Sequence, residues 1–342
     1  MGLCLFSDDD YEEVAIKVTG SLSAWGCWDA GWSVPTASGI TQARKRLGPT
    51  VLSEVFEQVA GPVATRSTRG AWLRDWRLLA IEGFDVALPD TEANAAEFGY
   101  AGSGDNRSAF PKARVVALAE CGTHAFLAAE VGAWSVGEKT LAGRLYQRLR
   151  RGELLTADRN FSSFEAWGLA AGTGAALLWR APTGLALPVL KVLPDGTYLS
   201  VLINPAIRGA HRRAAITSTA RELANRDADG QSTGQSRDPD GLDPNEAHLV
   251  RVVEYDMPDR DSTGTGELIM LLSTILASAG DSGARADELA PAYHQRWEEK
   301  KPVTISSRRI STDRARPCVQ SCPSWFTRRS GPGCSSITRS AP

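Results

Sequence analysis

Histidine, methionine and lysine are scarce in this 342-residue chain, which holds four His, three Met and seven Lys against 31 Arg. The four histidines, His124, His211, His248 and His294, show no metal-ligand spacing and read as ordinary residues. Six cysteines (Cys4, Cys27, Cys121, Cys318, Cys322, Cys334) include no Cys-x-x-Cys pair, so neither a zinc site nor a disulfide framework is indicated. No apolar run approaches the ~18–20 residues of a membrane span. The opening MGLCLFSDDDYEE is acidic and lacks the basic and apolar regions of a secretion signal. A cytoplasmic protein without membrane association is the expectation. No Gly-Lys-Ser/Thr follows the glycines around Ser103-Gly104, so that loop is not a P-loop. The arginine excess points to a GC-rich genome more than to a function.

What is present is an ordinary globular composition, 42% hydrophobic and 23% charged. The formal charge of −2 argues against a strongly basic protein, but it hides an asymmetry. Residues 300–342 carry nine Lys/Arg and one acid, Asp313, for +8, which leaves 29 bases and 39 acids, or −10, in residues 1–299.

Along the chain, residues 12–70 read as helices and loops, with a break at Gly48-Pro49. Arg44, Lys45 and Arg46 precede that break, as a solvated helix face or as a phosphate contact. From residue 75 the pattern turns to strands: 75–90, then two strands within 113–134 joined at Cys121-Gly122-Thr123. An amphipathic helix (135–150), a short buried strand (153–160), a helix capped by Ser162 or Ser163, and another strand (175–182) follow. That order predicts a mixed sheet with packed helices. Residues 183–276 read as a mostly β insertion with a Pro194-Asp195-Gly196 hairpin turn and a polar loop over 225–247. Helix returns at 284–300. Trp25, Trp28 and Trp32 read as core or cap packing rather than base stacking.

Acidic residues stand at telling places: Glu82 in the first strand, Asp158 at the end of the fourth, and Glu298 and Glu299 on the late helix. Carboxylates gathered from distant strands and a helix suit hard divalent cations and phosphoryl transfer. In a chain with 40 acids, spacing alone makes this a weak signal.

The segments RLLAIEGFDVALPDTEANAAEFGYAGSGDNRSAFPKARVVALAECGTHAF (77–126), LLTADRNFSSFEAWGLAAGTGAALLWRAP (154–182) and ELAPAYHQRWE (288–298) closely resemble the bacterial insertion-sequence DDE transposases of the Tyr-Arg-Glu-Lys signature group. The resemblance covers roughly residues 10–299. It implies an α/β fold with a ribonuclease-H-like mixed sheet, an N-terminal helical domain (1–70) that could bind DNA ends, a first part of the core (71–182), a β-rich insertion (183–276), and a final catalytic helix (277–299). It also implies Mg²⁺ or Mn²⁺ as cofactor and DNA, at terminal inverted repeats, as partner. A homodimer is compatible with it.

Carried over by position, Asp158 matches the second catalytic acid. The first, an Asp opening an Asp-Gly pair in the family, is Glu82-Gly83 here, which keeps the charge but reaches one methylene further. Asp85 is nearby, but its odd offset turns it to the other face of the strand. The metal ligands implied are therefore Glu82 and Asp158. Tyr293 and Arg296 match the signature, Arg296 as a phosphate contact and Tyr293 in shaping the DNA; read without the family, they are a core residue and a salt-bridge partner. The signature Glu falls on Lys300 and its Lys on Ser307. Glu299, one place early, is rotated ~100° around the helix and is the nearest replacement.

Lys300 is also where the +8 tail begins. The aberrant basic tail (300–342) reads as the product of a frameshift near codons 299–301, because another frame across 317–340 can encode an amphipathic helix. The sequence thus points to a transposase-type protein whose activity is impaired. A non-catalytic DNA-binding inhibitor of transposition and an unfolded product remain as alternatives.

Overall fold

The computed structural model describes residues 9–26, 31, 33–226, 241–257 and 267–296. The chain passes from one compact unit to another between Gln58 and Val59, upstream of residue 70.

The first unit holds α1 (Tyr11–Ala24) and α2 (Ala37–Val59). Asp10 caps α1 by accepting from the Glu13 amide at 2.8 Å, and Glu12 and Glu13 place negative charge at its positive end. Inside α2, Gly48 takes φ 70° and ψ 177°, a left-handed φ that breaks the helix as its sequence suggests, and Pro49 restarts it. Arg44 donates to the Tyr11 hydroxyl at 2.7 Å and is half-buried, so it ties α1 to α2, while Lys45 and Arg46 stay exposed. Trp25 is the C-cap residue of α1 and is 76% exposed, so of the two readings it is a cap and not core. Trp28 and Trp32 lie outside the described residues.

The second unit is built on one ten-stranded sheet. Its strands are β1 (Trp72–Leu73), β2 (Trp76–Ala87), β3 (Lys112–Glu120), β4 (Phe126–Ala133), β5 (Glu153–Ala157), β6 (Ala176–Arg180), β7 (Lys191–Val192), β8 (Tyr198–Ile203), β9 (Ala247–Met257) and β10 (Glu267–Ser273). The spatial order is β4-β3-β2-β5-β6-β10-β9-β8-β7, with β1 paired to β2. The β2, β5 and β6 pairings are parallel; the β2–β3–β4 meander and everything beyond β6 are antiparallel. This is the mixed sheet that the strand–helix alternation predicts.

Three helices connect or cover the first five strands: α3 (Glu92–Phe98), α4 (Glu138–Leu145) and α5 (Phe164–Ala171). Ser163 is the N-cap of α5, its hydroxyl accepting from the Ala166 amide at 3.1 Å. One sheet face is sealed by α4 and α5 through Leu79, Ile81, Leu141, Leu145, Trp167 and Trp179. The loop before β1 is drawn onto the sheet by the fully buried Glu120, which accepts from the Val63 and Ala64 amides and from Arg77.

Residues 183–276 contribute strands that extend the same sheet past β6. They also contain a 17-residue helix, α6 (Ala210–Arg226), which covers β7–β9 through Ile216, Ala220 and Ala224. Its sequence, with four Arg and no long apolar stripe, gave no amphipathic signal. Most of the polar loop expected over 225–247 falls outside the described residues.

The last described helix, α7, spans residues 286–296. It lies on the opposite sheet face from α4 and α5, with Leu289, Ala292 and Tyr293 packed on Leu78, Ala80, Leu154, Leu178 and Leu271.

Candidate active site

The parallel register sets up the site. Ala80 on β2 pairs with Thr156 on β5, and Thr156 pairs with Leu178 on β6. Two residues further along each strand the same face carries Glu82, Asp158 and Arg180, because side chains alternate faces with period two. Neighbouring strands are only ~4.8 Å apart. The apolar row Ala80–Leu178 thus gives way to a charged row where the parallel strands end. Glu82 and Asp158, predicted as partners from the sequence, are brought together here; Asp85 points to the other face and pairs with Arg114 at 3.2 Å.

Helix α7 completes the cluster. The Arg296 guanidinium lies 2.5 Å from Glu82 Oε1 and 3.5 Å from Asp158 Oδ2. Its side chain is fully buried, whereas Glu82 and Asp158 keep 12% and 17% of their exposure. Tyr293 is also fully buried. Burial, the largest influence, pushes its phenol up to about 12; Arg296 opposes this and Asp158 adds to it. Arg296 is thus an ion-pair partner of the two carboxylates, and Tyr293 packs in the core under α7, the contacts these positions suggest when read without the family. Glu299 lies outside the described residues, as do Glu298, Lys300 and the tail.

The sequence reading missed two members. Arg180 is nearly buried at the end of β6 and acts electrostatically on both Tyr293 and Tyr255. Tyr255 on β9 meets His294 on α7, its hydroxyl 3.1 Å from Nε2. The one signal that could have found Arg180 was a charged residue closing the apolar run ALLWR.

The start of α7 is fixed by two arginine knots. Arg251, fully buried, donates to the Ala277 and Ala284 carbonyls at 2.8 and 2.5 Å, to Thr197 at 2.8 Å and to Asp195 at 2.5 Å. Asp195 in turn accepts from the Ala286 amide at 2.9 Å and so caps the helix. Burial raises the Asp195 carboxyl, but bonds from Thr197 and the Arg251 charge outweigh it, and the carboxyl sits below its ordinary value. Arg74 pairs with Glu288 at 2.7 Å and donates to the Gly280 and Gly283 carbonyls. At the other end, Gln295 rests against Gly70, whose φ of 79° and missing side chain make room: a Cβ there would meet Gln295 Oε1 at 2.6 Å.

Hard carboxylate oxygens on adjacent strands, both partly open to solvent, fit a divalent cation of the Mg²⁺ class. They supply two ligands. Among the described residues no group of three His, Cys, Asp or Glu is placed to hold a metal.

A family model described as the insertion element 4 transposase N-terminal region matches residues 1–57. The chain is 30% identical over 167 residues to the Escherichia coli K12 transposase InsG for insertion sequence element IS4, covering 47% of this chain and 37% of that protein. The likeness is to transposases of the IS4 type. A second E. coli K12 relative, putative transposase InsZ, is 31% identical over 150 residues, or 42% of this chain and 48% of that one. The chain therefore matches less than half the length of these relatives. Among solved structures, the piggyBac transposase synaptic complex with hairpin DNA aligns with 67% of this chain and 39% of that one, at 11% identity and a TM-score of 0.34. Among the described residues no helix is long and apolar enough to cross a membrane.

Proposed function

We propose that this chain is a transposase-type protein of DNA transposition, in which the unit from Val59 onward is a ribonuclease-H-like core acting on insertion-sequence ends. The observation that carries the reading is the shared row of Glu82, within β2, and Asp158, just past the end of β5, where the parallel pairing of the two strands ends, since two like charges side by side are electrostatically costly without a cationic partner. The strand order β4-β3-β2-β5-β6, with its antiparallel start and parallel crossovers, supports it. So does the IS4-type likeness.

In this reading Glu82 and Asp158 hold Mg²⁺ or Mn²⁺, with Glu299 as the candidate third acid by its place in the sequence. A divalent ion there supplies Lewis-acid polarisation of the DNA phosphodiester. The chain's own residues do the positioning. The β2–β5 register fixes the separation of the two carboxylates. The sealed core beneath them keeps the strands rigid, and α7, capped by Asp195, delivers its last turn over the site. The exposed Lys45 and Arg46 of the N-terminal unit contribute phosphate contacts at the terminal inverted repeats, and a homodimer would pair two ends.

The copy is impaired in this reading. Glu82 reaches one methylene further than the aspartate it replaces, and misplacements of ~1 Å can cost ~10²-fold in rate. A basic tail from residue 300 that arises by frameshift removes the signature Glu. A second reading, a non-catalytic binder of element ends, is favoured by the ion pairing of both carboxylates to Arg296.

Purified full-length chain mixed with terminal-repeat duplex in Mn²⁺ should bind in a salt-dependent way and cleave little or not at all. Efficient cleavage would contradict the impairment, and absence of binding would contradict the DNA reading. Glu82→Asp alone should not restore strand transfer.

A further inference from the structure

Among the described residues, four formal charges meet where the parallel pairing of β2 with β5 ends. Glu82 and Asp158 contribute two negatives; Arg296, in contact with both, and Arg180, on the same row, contribute two positives. The row is thus electrically balanced without any metal. Adding a divalent cation would bring it to +2, with a guanidinium already 2.5 Å from one of the two carboxylates. Unit charges repel strongly at such range where water is scarce, and Arg296 is fully buried. An ion and the Arg296 guanidinium cannot share these oxygens at full strength.

We infer that Arg296 is the resident cation of the Glu82–Asp158 site, and that a divalent metal binds there only by displacing it. This rests on the proposed metal site and adds a competition that the metal-ligand reading does not contain. The consequence reaches beyond the two carboxylates. Arg296 ends the described part of α7, and the start of that helix is clamped by Asp195, Arg251 and Arg74. Displacement is therefore taken up by the last turn, residues 293–296, where Tyr293 and Arg296 face the site and Gln295 rests on Gly70. Metal occupancy and the packing of that turn are coupled: whatever captures the Arg296 charge elsewhere favours metal binding, and by linkage metal favours that capture.

The test uses the full chain and Mn²⁺ as the probe, with free Mn²⁺ read by electron paramagnetic resonance. Arg296→Gln should bind at least ~10-fold more tightly than the wild type, since a neighbouring positive charge is gone. Arg296→Lys, which keeps the charge but loses the planar fork, should fall between them. Adding Asp158→Asn to Arg296→Gln should abolish the gain and so locate it. In metal-free buffer Arg296→Gln should melt at a lower temperature than wild type, and Mn²⁺ should raise its melting temperature more than it raises that of the wild type. Hydrogen exchange of the wild-type chain gives a second readout that does not depend on purifying Arg296→Gln: Mn²⁺ should speed exchange of amides 293–296 while leaving those of 286–289 unchanged. Equal Mn²⁺ affinity of wild type and Arg296→Gln would overturn the competition but leave the metal site standing. So would slowed or unchanged exchange at 293–296 in Mn²⁺-loaded wild type. Failure of every variant to bind Mn²⁺ at Asp158 would remove the metal site itself, and the competition with it.

Discussion

Glu82 and Asp85 belong to one strand, three residues apart, yet the two faces of the sheet treat them differently. On the α4–α5 face Asp85 has one partner, Arg114, in a part-exposed pair of the kind found on most protein surfaces. Beneath it that face is apolar, sealed by Trp167 and Trp179 packed edge to face at 5.4 Å. On the α7 face Glu82 stands beside a second carboxylate, and the cation that reaches both is fully buried. One pair follows ordinary surface electrostatics. The other sets like charges next to each other and spends a buried arginine on them, an arrangement that packing and stability alone do not favour.

The largest effects should come from buried residues on either face, and they separate the two. Arg251→Leu should cost about 3–5 kcal/mol, because it leaves Asp195 and two carbonyls without their buried partner. Trp179→Ala should cost a similar 3–5 kcal/mol through the cavity it leaves. Urea unfolding measures both. Only Arg251→Leu should also alter hydrogen exchange along α7; an equal effect from Trp179→Ala would mean that the two faces are not independent.

Acid sensitivity should track the clamp of α7. The Asp195 carboxyl is held below its ordinary value, so the stability it contributes is complete above about pH 4 and is lost as pH falls through the folded-state value. Asp195→Asn should flatten that acid limb in a pH series of melting temperatures. An unchanged limb would show that other carboxylates set it.

Smaller effects follow at local positions. Ser163→Ala removes the α5 cap and should cost about 1 kcal/mol by the same unfolding measurement. Asp85→Asn should cost no more than about 1 kcal/mol, as for other exposed pairs, and leave Mn²⁺ binding unchanged. A loss of Mn²⁺ binding from Asp85→Asn would collapse the distinction between the two faces.

Several features were legible in the sequence because they obey local rules. Period-two alternation puts Glu82 and Asp85 on opposite faces, Ser163 announces α5, and Gly48-Pro49 announces the break in α2. Arg180 and Tyr255 were not legible, because they join the site through pairings between strands far apart in sequence. Helix α6 was missed for another reason: Ile216, Ala220 and Ala224 make too narrow and small an apolar stripe to stand out among arginines, and tertiary packing on β7–β9 defines it. Arg296 carried two readings in the sequence, phosphate contact and salt-bridge partner. The fold brings α7 over β2 and the end of β5 and so sets Arg296 against both carboxylates.

The central claim is that Glu82 and Asp158 form one cation site. Mn²⁺ binding to the full chain, compared among wild type, Glu82→Gln and Asp158→Asn, tests it most directly. The account predicts binding to the wild type that is lost in either variant. Binding that survives both substitutions unchanged would contradict it.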